Sequence, residues 1–244
     1  MMRFLLFLLL ATGLFGADPV TIPTMNFNLS APDTPEQLVT SLNVLIVLTL
    51  LFLAPSLVLV MTTFTRFVIV FGFLRQALGT QQTPPTQLLV MLALILTVFV
   101  MEPIAQKAYD SGIKPYIAKE IGYQEAFTKT TDPFKSFMIR NTREKDLALF
   151  VRIRKIENPQ TISAVPLSVV IPAFVISELK TAFEIGFLLF LPFLVIDMVV
   201  ASILMSMGMM MLPPTMMSLP FKILVFILVD GWNLLIGNLI ASIK

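Results

Sequence analysis

Met205-Ser206-Met207-Gly208-Met209-Met210-Met211-Leu212-Pro213-Pro214 is the stretch on which the reading of this chain turns, and five of the seven residues from Met205 to Met211 are methionine. A proline has no amide hydrogen, and the residue before it is pushed out of the α region, so no helix is expected to run through Met211–Pro214. Long apolar segments flank the stretch, roughly Gly186–Leu204 before it and Phe221–Ile243 after it. The methionines therefore fall at the tip of a helical hairpin, where a loop ordinarily carries polar residues. A thioether is unbranched, polarisable and able to fill irregular gaps. Two readings follow. The methionines are core filler beneath a loop, or several such tips converge on one axis and form a soft apolar constriction. Such a constriction stops water and ions yet yields to something wider.

Composition sets the class. The 244 residues are 57% hydrophobic and 13% charged, against about a quarter charged in ordinary soluble domains, and mean hydropathy is +0.89. Long uncharged runs such as 37–65, 76–101 and 198–221 are what bilayer-spanning segments require. A net charge of +2 is too small to argue for nucleic acid as a partner. Cysteine and histidine are both absent. That removes disulfides, thiol nucleophiles, Cys/His zinc sites, imidazole acid–base chemistry and His or Cys ligation of haem. No metal site and no cofactor are expected, and few enzymes could be built from what remains.

In chain order, Arg3, the apolar run Phe4–Leu10 and the small pair Gly16-Ala17 describe a secretory signal peptide over 1–17. An uncleaved anchor is the alternative, although the run is short for a span. Residues 18–36 read as an extended arm containing Pro19, Pro23, Pro32 and Pro35, with a helix start at Asp33–Glu36. Residues 37–101 read as a first apolar helical hairpin: Gln37–Met61 interrupted by Pro55, a helical continuation to Leu78 bearing Arg66 and Arg75, a polar turn, then Thr86–Met101. Residues 102–165 hold 11 of the 17 basic and 8 of the 15 acidic residues and read as a soluble, mainly helical region. Within it, Arg140–Glu157 is a candidate amphipathic helix with either a solvated or a partner-packing face. Residues 166–244 form a second apolar hairpin with its methionine-rich tip at 205–214. The class that results is an all-α membrane protein.

The second hairpin embeds Glu178, Lys180, Glu184, Asp197, Lys222 and Asp230 in apolar sequence. Charges at such depths cost several kcal/mol unless they are paired, face an aqueous cavity or meet another subunit. For Glu178 and Lys222 the alternatives are functional pairing or snorkelling near helix ends, whereas the more central Asp197 and Asp230 are expected to be partnered. Topology is in conflict. A cleaved signal followed by four crossings puts 102–165 in the periplasm, while its basic character would hold it in the cytoplasm.

Two blocks then carry a family resemblance. Pro172-Ala173-Phe174-Val175-Ile176-Ser177-Glu178-Leu179-Lys180-Thr181-Ala182-Phe183-Glu184-Ile185-Gly186-Phe187 is similar throughout to one signature of the FliP/SctR family. Pro220-Phe221-Lys222, followed by an apolar run into Asp230-Gly231-Trp232, is similar to its second. The methionine tip with Pro213-Pro214 lies between them. Thr65-Arg66, Leu74-Arg75 and Ala77–Gln81 also fit, so the resemblance covers about residues 43–232. These are the core export-gate proteins of flagellar and virulence type III secretion, and the signal peptide points to the flagellar branch.

The resemblance implies helical hairpins assembling into a helical, roughly conical oligomer, with five copies of this subunit and two smaller FliQ-like and FliR-like membrane proteins. It implies FlhA- and FlhB-like export proteins and unfolded flagellar export substrates as further partners. Its implied location is the bacterial inner membrane at the flagellar basal body, with the assembled gate largely on the periplasmic side. Carried over by position, Met209, Met210 and Met211 form a methionine gasket that seals the channel. Met205, Met207, Gly208, Pro213 and Pro214 flank it, and Arg143, Glu178 and Lys222 fall at subunit contacts. Two rival functions remain. A proton-coupled transporter would use Glu178, Glu184, Asp197 and Asp230 as a relay. More remotely, an intramembrane aspartyl protease would use Asp197 and Asp230 as a proton-sharing dyad.

Overall fold

Leucine, isoleucine, valine and phenylalanine fill segments too long for strands, and in an apolar environment a helix alone satisfies its own backbone. The computed structural model, which describes residues 35–80, 83–156, 164–209 and 213–244, contains helices and no strand among those residues. The expected signal peptide at 1–17 lies outside the described residues, as does the arm up to residue 34. The chain divides into a unit ending at Thr49 and one running from Leu50 to Lys244. Of the first, the described part is the start of α1 (Pro35–Val60), which carries Pro55 inside it.

The second unit continues with α2 (Phe64–Leu78) and α3 (Thr86–Ala108). A π-helical turn over Tyr109–Ile113 joins α3 to the short α4 (Lys114–Ile117). Next come α5 (Tyr123–Asn141), α6 (Glu144–Ile153), α7 (Leu167–Ser206), α8 (Pro214–Leu228) and α9 (Gly231–Ala241). The amphipathic candidate over 140–157 is thus two helices, broken where Thr142 and Arg143 adopt extended backbone. Part of the apolar surface of α6 packs inside the chain, where Leu147, Phe150 and Val151 meet a core cluster, while Leu149 and Ile153 stay exposed.

α7 is the axis of the second unit. At 40 residues and about 1.5 Å per residue it is roughly 60 Å long, twice the hydrocarbon thickness of a bilayer. α2 packs along it most extensively, and α5, α6 and α8 pack on other parts of its length. One core joins Phe67, Phe71 and Leu74 of α2 to Ala182 and Phe193 of α7, Phe226 of α8 and Leu239 of α9. A second core joins Met101 and Ile104 of α3 to Phe137 and Met138 of α5 and Val170 and Phe174 of α7. Close approach of α2 depends on Gly186, where an added Cβ would meet the ring of Phe73 and lie 3.0 Å from its Cβ.

Among the described residues, two helical stretches are long and apolar enough to cross a membrane, Thr86–Ile117 and Leu167–Ser206. The pair α8 and α9 makes a third if counted as one span, although it is bent by 64° at Val229-Asp230. The first of the four expected crossings, Gln37–Met61, falls on α1, an apolar helix of 26 residues.

Gly186→Ala is expected to cost about 1–3 kcal/mol through overpacking against Phe73, whereas Gly72→Ala, with open space at its Cβ, should be neutral or stabilising by up to about 1 kcal/mol from helix propensity. Thermal unfolding of the detergent-solubilised protein distinguishes the two, and Phe73→Ala should relieve the first.

Candidate functional site: a methionine turn on a charge-locked hairpin

The methionine turn is shaped by its glycine and its prolines. Gly208 adopts φ +74°, the left-handed region that glycine enters at no steric cost. Its N–H donates to the Met205 carbonyl at 3.1 Å, and the Met209 N–H donates to the Leu204 carbonyl at 3.0 Å. This crossed pair satisfies the last carbonyls of α7 and ends it as a Schellman motif. On the far side Pro213 is extended and Pro214 occupies the first turn of α8, where a missing N–H costs nothing. Met205, Met207 and Met209 are 60%, 67% and 42% exposed, and Met216 and Met217 on α8 are exposed too. Core filler they are not. The expected gasket residues Met210 and Met211 lie outside the described residues.

Below the turn, ion pairs hold the hairpin and bind it to α2. Asp197 lies nine residues before the end of α7, about 13 Å at helical rise. Lys222 of α8, 2% exposed, donates to the Asp197 carboxylate at 2.6 Å and to the Ala77 carbonyl at 3.0 Å. Ser218, one turn earlier on α8, donates to the other Asp197 oxygen at 2.5 Å. Ala77 lies in the last turn of α2, whose terminal carbonyls lack helical partners and carry the negative end of the dipole. One ammonium therefore neutralises a carboxylate and caps a helix.

Arg66 repeats the device at the other end of α2. Its guanidinium makes a fork with both Glu178 oxygens, through Nε at 2.8 Å and through Nη2. Its Nη1 donates to the Ser242 hydroxyl at 2.8 Å and to the Ser242 carbonyl at 3.1 Å, at the C-terminus of α9. Arg66 and Glu178 are 2% and 1% exposed. A third set fastens α6. Arg143 donates to Glu184 at 2.5 Å, its backbone N–H donates to Ser177 Oγ at 3.0 Å, and that hydroxyl donates to Asp146 at 2.6 Å.

The sequence-predicted charges thus separate. Asp197 is partnered, as expected. Asp230 is exposed and its side chain has no partner within the single chain among the described residues, so any partner it has comes from outside the chain. The chain folds abruptly there: Asp230 itself takes φ +51° at the bend, a left-handed conformation that Asp tolerates better than most residues. Glu178 and Lys222, carried over as subunit contacts, find their partners inside the single chain, and Arg143 pairs with Glu184. No hydrogen bond joins any two of Glu178, Glu184, Asp197 and Asp230 among the described residues, so the relay and the proton-sharing dyad gain no geometric support.

Sequence reading overlooked Arg66, Ser177, Ser218 and Ser242 as parts of these sets. The usable signal was charge balance, because a cation in an apolar helix requires an anion in another one.

Comparison with known proteins follows the same residues. The sequence model described as the FliP family matches residues 47–239. The flagellar biosynthetic protein FliP of Bacillus subtilis (strain 168) is 50% identical over 215 residues, covering 88% of this chain and 97% of the relative. The protein of that name from Caulobacter vibrioides is 56% identical over 197 residues, covering 81% of this chain and 74% of the relative. Its counterpart in Treponema pallidum is 45% identical over 234 residues, 95% of this chain and 86% of the relative.

Removing one partner of the most buried pair leaves an uncompensated charge. Glu178→Ala is expected to destabilise the protein by about 3–5 kcal/mol, and an apolar replacement of both Arg66 and Glu178 should recover most of that loss. Thermal unfolding in detergent checks the order; a single Glu178→Ala variant as stable as the parent would contradict it.

Proposed function

Since this chain belongs to the FliP family, we propose that it is a core subunit of the flagellar type III export gate. In this reading, copies of the chain line a channel for unfolded flagellar proteins, and their methionine turns seal it. The subunit does no chemistry. It works with further copies of itself, five by family resemblance, with FliQ-like and FliR-like membrane subunits and with FlhA- and FlhB-like export proteins. It sits at the flagellar basal body in the bacterial inner membrane, with the gate largely on the periplasmic side.

The observation that carries the reading is the turn itself. Methionines at 205, 207 and 209 are exposed at a helix end that is closed tightly by Gly208 and anchored beneath by Asp197, Ser218 and Lys222. A rigid mount holding flexible apolar tips suits a seal. The mount fixes where the tips meet, and the thioether stems re-pack around whatever passes. A ring of apolar side chains makes entry of a hydrated ion costly, while a polypeptide can push it apart. The 40-residue α7 supports placement partly beyond the bilayer, because a helix twice the hydrocarbon thickness cannot lie wholly within lipid unless steeply tilted. Its paired charges then face protein rather than acyl chains.

Replacing Met209, Met210 and Met211 with glycine should make resting complexes leak ions and small solutes, because the constriction loses its apolar fill. Leucine at the same positions should keep the seal but slow export. Inner-membrane conductance and secretion of flagellar subunits measure the two effects, and unchanged conductance in the glycine variant would remove the seal from the reading.

A further inference from the structure

Six charged side chains lie in α7, α8 and the bend before α9: Glu178, Lys180, Glu184, Asp197, Lys222 and Asp230. Glu178 is taken by Arg66, Glu184 by Arg143, and Asp197 and Lys222 by each other. One cation and one anion are left over. Lys180 and Asp230 are both exposed, and neither has a side-chain partner among the described residues.

Each leftover charge sits in an apolar surface of a particular form. Lys180 belongs to a stripe at helical spacing with Ile176, Phe183 and Phe187, which are 41%, 54% and 62% exposed. Asp230 lies in the chain between Val229 and Gly231, two of the residues that line an apolar cavity of about 490 Å³ between α7 and the bent α8–α9 pair. Leu188, Pro192, Val225, Val229, Leu234 and Asn238 are among its lining residues. At 3.6 residues per turn, the stripe and the cavity-lining positions of α7 lie about half a turn apart. The stripe of one chain therefore cannot fill that chain's own cavity. It is free to fill another's.

We infer that a second copy of this chain docks by laying the stripe of Ile176, Lys180, Phe183 and Phe187 against the groove between α7 and α8–α9, with the Lys180 ammonium on the Asp230 carboxylate. The contact joins two different faces, so it is heterologous, and repetition generates a ring or a helical array rather than a closed pair. Phenylalanine side chains fill the apolar groove, and the single ion pair sets the register along it. A lone carboxylate beside apolar surface disfavours any partner that brings no cation, which gives the contact its selectivity. This inference rests on the gate reading for its multi-copy setting, but it concerns how copies meet rather than what they seal.

The chain contains no cysteine, so cross-linking reports only on introduced thiols. Two differently tagged full-length copies, one carrying Lys180→Cys and the other Asp230→Cys, are expressed together in flagellated cells and treated with a short bis-maleimide. A heterotypic product of twice the chain mass is expected, well above that from either variant paired with itself. In parallel, Lys180→Asp and Asp230→Lys should each lower the yield of assembled complex about tenfold, and the two together should restore it. Absence of the heterotypic product, or a double reversal no better than the singles, overturns the inference. Leak-free methionine variants together with the cross-link would sink the seal alone, whereas leaking variants without the cross-link would sink the interface alone.

Discussion

A cation shared between a carboxylate and the carbonyl end of another helix is the interaction on which this structure depends. Lys222 serves Asp197 and the last turn of α2; Arg66 serves Glu178 and the C-terminus of α9. Either ion alone would pay a desolvation penalty that a single contact rarely repays. Here each cation also satisfies carbonyl groups that α-helix geometry leaves without partners. The orphan carbonyls and the buried charges are two costs that cancel. Since α2 receives one cation at its end and supplies another near its start, its position along α7 is set at two points. The phenylalanines between those points, Phe67 and Phe71, then pack in one register.

With polar groups satisfied internally, what remains outside is largely apolar. Exposed Phe187, Leu188, Val195, Leu224 and Leu228 form surfaces that one chain in water would not tolerate. Lipid or neighbouring subunits must cover them. The methionine turn is the end point of the same logic. Two limbs locked beneath it by Asp197, Ser218 and Lys222 present a tip whose methionine side chains are exposed and whose backbone is capped by Gly208. A firm support under a soft surface is what the proposed seal requires.

Much of this was legible in the residues. Helical class, the break at Pro213-Pro214, the methionine tip, the charged middle region and the family all follow from patterns local in sequence. Element boundaries were less so. Arg140–Glu157 read as one helix because its charges and apolar residues alternate smoothly. The break at Thr142-Arg143 arises because Ser177, on a different helix, takes the Arg143 N–H. Likewise the split of the last limb at Asp230 is hidden in hydropathy, since Leu228, Val229 and Leu234 on either side are equally apolar.

By itself the sequence determined that the chain is helical and lipid- or partner-covered, where its tip lies, and which charges would be costly to leave alone. Those properties depend on neighbours within a few residues: proline geometry, helical period and the cost of ions in apolar surroundings. Only the tertiary structure decided which charge answers which. Arg66 and Glu178 stand 112 positions apart, and Lys222 and Ala77 stand 145 apart. Glu178, Glu184, Asp197 and Asp230 look alike in a linear reading, yet three are neutralised inside the chain and one is left facing outward. Pairing is a matter of distance in space, and one-dimensional order specifies that distance only after the helices have packed.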